Sequence, residues 1–197
     1  MKPTPVIPPC GAGAAKKPLL WISRVPVCPS SQTAQITANV NKGERISRFV
    51  EQLEGNAPAG STGGITQHPC YRGFFRCWND QRYYEAHDVL EHLWLETRSE
   101  DANYFKGLIQ AAGGFVHLQK HFEHPTHPKH ARRLAPAVRL FALAEANLEP
   151  FGATRHGFDI DGLRALLART ARAVVDSEFK RNPWSPATAP QLQLRIL

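Results

Sequence analysis

Residues 81–120, QRYYEAHDVL EHLWLETRSE DANYFKGLIQ AAGGFVHLQK, decide the fold. In the first half Ala86, Val89, Leu90 and Leu93 recur at helical spacing and share one face. Midway, Ser99, Glu100 and Asp101 are helix-start residues, and acidic side chains there suit the positive end of a helix dipole. The spacing predicts one helix over about 81–97 and a second over about 100–120. A connection of only a few residues makes them antiparallel neighbours. Asn79 or Asp80 is expected to cap the first.

Working outward, Tyr71 to Trp78 is strongly apolar and predicts a short helix before this pair. Pro128 suits a first helical position, so a further helix is expected from there to about Leu148. Pro136 would kink or split it, and Pro150 and Gly152 end it. Asp159 or Asp161 caps a last helix reaching about Phe179. From Asn182 onward three prolines imply an irregular tail. No strand pattern and no repeat is visible. Upstream, residues 1–43 are rich in Pro, Ala, Ser and Thr without apolar periodicity, which predicts a disordered leader. Residues 44–54 place Ile46, Phe49, Val50 and Leu53 at helical spacing, and a flexible link follows up to Gly64. The expected organisation is a leader (1–43), a short helix with its linker (44–68), a helical domain (69–180) and a tail (181–197). The fold class is all-α, a single bundle of about five helices.

The chain has 197 residues, 42% of them apolar, which is enough for one domain with a real core. No run of about 18 apolar residues exists to span a membrane. Pro3, Pro5, Pro8 and Pro9 break any secretory apolar region. A cytoplasmic protein is expected, although residues 1–43 are basic and acid-free, as a cleaved organelle-targeting leader would be. The net charge is +7. Residues 1–60 hold seven Lys/Arg against three Glu, and the remainder seventeen against fourteen Asp/Glu, so the folded part is only mildly basic. That weighs against nucleic acid as a partner. Cys10, Cys28, Cys70 and Cys77 are expected as reduced thiols. His68, Cys70 and Cys77 match no common zinc spacing.

The helical pair carries polar residues beside its apolar stripe. Residues four apart share a face, so His87 and Glu91 lie together, with Trp94 continuing the stripe. On the second helix Lys106, Gln110, Gly113, His117 and His121 fall in one sector. Gly113 and Gly114 each cost roughly 1 kcal/mol against alanine in a helix, which points to close helix approach or to space left for something. A polar cluster between the two helices is expected, drawn from Glu85, His87, Asp88, Glu91, Lys106, Gln110 and His117. Glu85 and Asp88 lie about 100° or more from His87 around the helix and do not all point inward with it.

The segment from Tyr83 to Trp94, with Glu85-Ala86-His87-Asp88 followed by Leu90-Glu91 and the tryptophan, resembles the signature of domain-of-unknown-function family 309. Phe105-Lys106-Gly107-Leu108-Ile109-Gln110 and His117-Leu118-Gln119 resemble its next part, and Ala131-Arg132-Arg133-Leu134 its third-helix motif. The resemblance spans about residues 70–170. It implies a small all-helical bundle of unestablished activity, and marks Glu85, His87, Asp88, Glu91, Lys106, Gln110 and His117 as the family's polar positions. The chain departs from the pattern at Asp88, where Glu is more usual, and in its long His-rich loop after Lys120.

Three readings follow. The first is a small-ligand or hydrolase-type site with His87, Glu91 and His117 as catalytic candidates. Glu85, Asp88, Lys106 and Gln110 would bind the ligand, and Lys106 would act as counter-charge to a small anion. The second is a structural or protein-interaction domain whose polar cluster only sets helix register. The third is a divalent metal site, zinc or iron, from His87, Glu91, His117 and His121. Lys106 on the same face opposes a cation. The remaining histidines, His124, His127 and His130, flank Pro125 and Pro128 and are read as a solvated loop, with surface binding of transition metals as the alternative. A homo-oligomer is compatible with all three readings.

Overall fold

The computed structural model describes residues 44, 48–52, 64–97 and 100–195. The expected leader, the link after residue 52, Ile46 and Leu53 lie outside the described residues. Five helices carry the fold: α1 (Pro69–Asn79), α2 (Tyr83–Glu96), α3 (Ala102–Glu123), α4 (Leu134–Leu148) and α5 (Ile160–Asp176). They form an all-helical bundle, as the periodicity predicts. None of the helices among the described residues is long and apolar enough to cross a membrane.

The bundle is a chain of antiparallel neighbours. α1 packs on α2, α2 on α3, α3 on α4 and α4 on α5. α3 is central because it is apolar on two sides. Phe105, Leu108, Ala112 and Phe115 are all fully or almost fully buried. Around them Trp78 of α1, Tyr83 of α2 and Phe141 of α4 complete an aromatic cluster, with ring centroids 4.9 to 5.3 Å from Phe115. Cys70 and Cys77 are both buried inside this core. Burial pushes the Cys77 thiol up to about 11, so it is an inert core residue.

Local chemistry explains most helix ends, and several differ from expectation. Pro69 opens α1, and the His68 ring accepts from the Cys70 N–H. Neither Asn79 nor Asp80 caps α2. Arg82 stands at that position without a side-chain cap, because Asn79 is spent on the C-terminal tail through Leu192. α4 starts at Leu134 rather than Pro128, and residues 124–132 form turns and a bend instead. Pro136 therefore falls in the first helical turn, where no N–H is needed, and causes no kink. Asp159 caps α5 by accepting from the Gly162 N–H at 2.8 Å.

Two elements depart from the all-helical reading. Residues 154–155 and 158–159 form a minimal antiparallel hairpin, β1 and β2. Both central residues, His156 (φ 47°) and Gly157 (φ 71°), are left-handed, as tight two-residue hairpin turns require. The tail after Asn182 is irregular yet packed. Trp184 and Leu192 are buried, Leu194 bridges to Phe158, and the Trp78 indole donates to the Pro190 carbonyl at 2.9 Å. The amphipathic segment before the domain also packs. Val50 is buried, and the Arg82 guanidinium lies 5.1 Å from the Phe49 ring centroid.

Candidate functional site

Two contacts fix the register of α2 against α3. A Cβ added at Gly113 would lie 3.9 Å from the His87 ring, and the Gln119 amide donates to the Gln81 carbonyl at 3.3 Å. Both contacts set the same antiparallel alignment, which puts Glu91 near the level of Ile109 and Trp94 near that of Lys106. Ala86, Leu90 and Leu93 of α2 and Phe105, Leu108 and Ala112 of α3 are all buried. The polar residues sit along the rim of this seam.

The expected polar positions do not converge on one point. His87 Nδ1 lies 3.0 Å from Asp88 Oδ1 and 4.0 Å from Glu91 Oε2. One donor atom from each of these three side chains falls within 4.8 Å of the others. Asp88 is buried at 4% exposure, while His87 and Glu91 are half-buried. The other positions are engaged elsewhere. Glu85 pairs with Arg82 at 3.5 Å. Gln110 accepts from Asn147 of α4 at 2.7 Å. His117 meets Arg133 at 3.2 Å, and His121 meets Asn182 of the tail at 3.4 Å. Lys106 is exposed. The metal set assembled by geometry is thus His87, Glu91 and the neighbouring Asp88, without His117 or His121. The reason is position along α3: His117 lies one turn beyond Gly113, where it meets Arg133, and His121 a further turn on, where it meets Asn182 of the tail.

Electrostatics separates the two ends of this seam. Burial, then Arg133 and Arg139, hold the His117 imidazole below the usual histidine range, so its end repels cations. Around His87 two carboxylates approach an imidazole instead. Gly113 lets α3 lie close to both neighbours, since a Cβ there would be 3.3 Å from Leu140 Cδ1 of α4 and 3.9 Å from the His87 ring. Gly114 answers the other expectation, close approach, since a Cβ there would collide with the Phe141 ring.

A second polar group was not legible from the pattern. Asp101, just before α3, is bound by the Arg155 guanidinium, and His156 Nε2 lies 3.0 Å from the same carboxylate oxygen. Below it the buried hydroxyls of Tyr71 and Tyr104 are 2.6 Å apart, and the Tyr71 hydroxyl donates to the His156 carbonyl at 3.2 Å. Burial pushes both phenols well above their ordinary range, so they stay neutral. Their partners come from the hairpin turn, whose outer side lines a cleft of about 550 Å³ with Arg195. The one sequence signal for this group is Gly157 just before Phe158, a residue that takes a left-handed turn position without strain.

The helices that hold His87, Asp88, Glu91, Gln110 and His117 also carry the family signal. Residues 71–125 match the family model of DUF309, a domain of unknown function. The DUF309 match begins within α1 and ends just past α3, so it contains both sides of the seam. It stops short of Ala131–Leu134, the segment read as a third-helix motif. No curated protein and no solved structure matches the chain significantly. The match to DUF309 assigns no reaction to this segment.

Proposed function

We propose that the DUF309 segment binds one divalent first-row transition ion through His87, Asp88 and Glu91. Open coordination positions would face solvent beside the half-exposed His87 and Glu91 and take a small anionic ligand. The observation that carries this reading is the grouping of one imidazole and two carboxylates within 4.8 Å. Ligands about 2.0–2.2 Å from an ion sit roughly 3–3.5 Å from one another, a contraction that half-exposed His87 and Glu91 can make by rotamer adjustment. An imidazole with carboxylates suits zinc, iron or manganese. Three protein ligands leave positions free, as in sites that act on a ligand rather than only hold a fold together. Lys106, the expected obstacle to a cation, is exposed and level with Trp94, beyond Glu91 along the seam. The positive end at His117, Arg133 and Arg139 lies one turn from Gly113 and supports an anion as the second ligand.

The test is metal analysis of the untagged full chain, purified without chelator or metal-affinity resin. About one equivalent of zinc, iron or manganese is expected. His87→Ala and Glu91→Gln should each weaken retention of that metal at least about tenfold, while His117→Gln should not. A wild-type chain that retains no metal after dialysis against each of the three ions sinks the proposal.

The 3.0 Å bond from His87 to buried Asp88 also favours a second reading, a purely structural pair. Under it His87→Ala costs about 1–3 kcal/mol of stability whether or not metal is added.

A further inference from the structure

We propose that residues 124–133 form a histidine–arginine latch, closed on α3 at neutral pH and released when its histidines are protonated. The latch is built around Arg133. Its Nε donates to His130 Nδ1 at 2.6 Å, and its Nη1 meets His117 Nδ1 at 3.2 Å. A guanidinium has donors and no acceptor. Both imidazole nitrogens must therefore accept, and both rings must be neutral with the proton on Nε2. His127 is in the same state, since its Nδ1 accepts from the Lys129 backbone N–H at 3.2 Å. Because His117 belongs to α3 and His130 to the loop, Arg133 ties the loop to the helix.

The cations that act on the latch oppose a further proton, and the one carboxylate beside them, Glu123, is taken up by Lys120. Lys120 of α3 is paired with Glu123 at 2.7 Å, and Arg139 approaches from α4. Within the loop the His124 and His127 rings lie 5.3 and 4.5 Å from the His130 ring. A proton added to His117 or His130 removes an acceptor and sets a second positive charge against Arg133. Burial together with Arg133 already holds both imidazoles below their usual range. A group held low in the closed form takes up its proton more readily in the open form. The closed form is thus favoured above about pH 6.5 and loses ground as pH falls below it. The same bonding weighs against a metal at the loop, because at His127 and His130 one ring nitrogen is accepting and the other carries hydrogen.

The latch sits one helical turn from Gly113, at the cationic end of the seam, so its release would bare that end. The inference does not depend on metal at His87, and its test needs none. Amide hydrogen exchange of the full chain is compared at pH 7.5 and 5.5, corrected for the intrinsic pH dependence. The wild-type loop is expected to exchange about tenfold faster at pH 5.5, with α1 and α2 unchanged. Arg133→Ala should exchange fast at both pH values. His117→Gln with His130→Gln, whose amides accept from Arg133 but do not titrate, should stay slow at both. Equal corrected protection in the wild type at the two pH values overturns the latch. So does an acid-opened loop in the double glutamine variant, or an Arg133→Ala loop as protected as wild type at pH 7.5.

Discussion

Gly113 and Gly114 are adjacent in α3 yet answer to different neighbours. A methyl group at Gly114 would collide with the fully buried Phe141 ring, which has nowhere to go. At Gly113 the nearest atom is the end of the half-buried Leu140 side chain, 3.3 Å away, and it can yield. Gly114→Ala should therefore cost about 1–3 kcal/mol through overpacking, with α4 pushed off α3. Gly113→Ala should cost much less, since its gain in helix propensity of up to about 1 kcal/mol offsets the tighter contact. Urea denaturation of the two variants checks the order, and equal losses would contradict this account of the seam. The adjacency of the glycines was visible in the sequence, but which of them faces a ring and which faces His87 depends on α4, whose register no local pattern gives.

Among elements, the hairpin is tied to the start of α3 chiefly through the Asp101 carboxylate, with Glu100 and the Tyr104 hydroxyl beside it. Asp101 is buried, and burial alone would raise its carboxyl. Arg155 and His156 outweigh that effect and hold it below the usual carboxylate range. A carboxylate whose folded value is depressed stabilises the fold above its unfolded value of about 3.9, and that stabilisation is lost as pH falls through the folded value. Asp101→Asn should thus cost about 1–3 kcal/mol at pH 7, with the deficit shrinking toward pH 3. Thermal unfolding across that range reads it, and a deficit independent of pH would contradict the assignment. The helices were legible because each repeats its apolar pattern over several turns. Two-residue strands have no period to detect, and the hairpin could be found only through its turn residues.

For the molecule as a whole, the C-terminal tail closes the fold. The Trp184 indole donates to the buried Tyr83 hydroxyl at 3.1 Å, and Trp184 is itself 4% exposed. Trp184→Ala should cost about 3–5 kcal/mol, the usual loss for a large buried aromatic. A loss below about 1 kcal/mol in urea denaturation would show that the tail lies outside the cooperative unit. From residue spacing alone came the all-helical class, the antiparallel α2–α3 pair and the positions of His87 and Glu91 on one face, because 3.6 residues per turn dictates which side chains share a face. The DUF309 signature was legible in the same stretch. Only the tertiary structure decided that His117 turns to Arg133 and that a proline-rich tail is packed. Those outcomes depend on where α4, the hairpin and the tail come to rest against α3. Such long-range placements arise from burying surface shared between distant segments, and no window along the chain contains both partners.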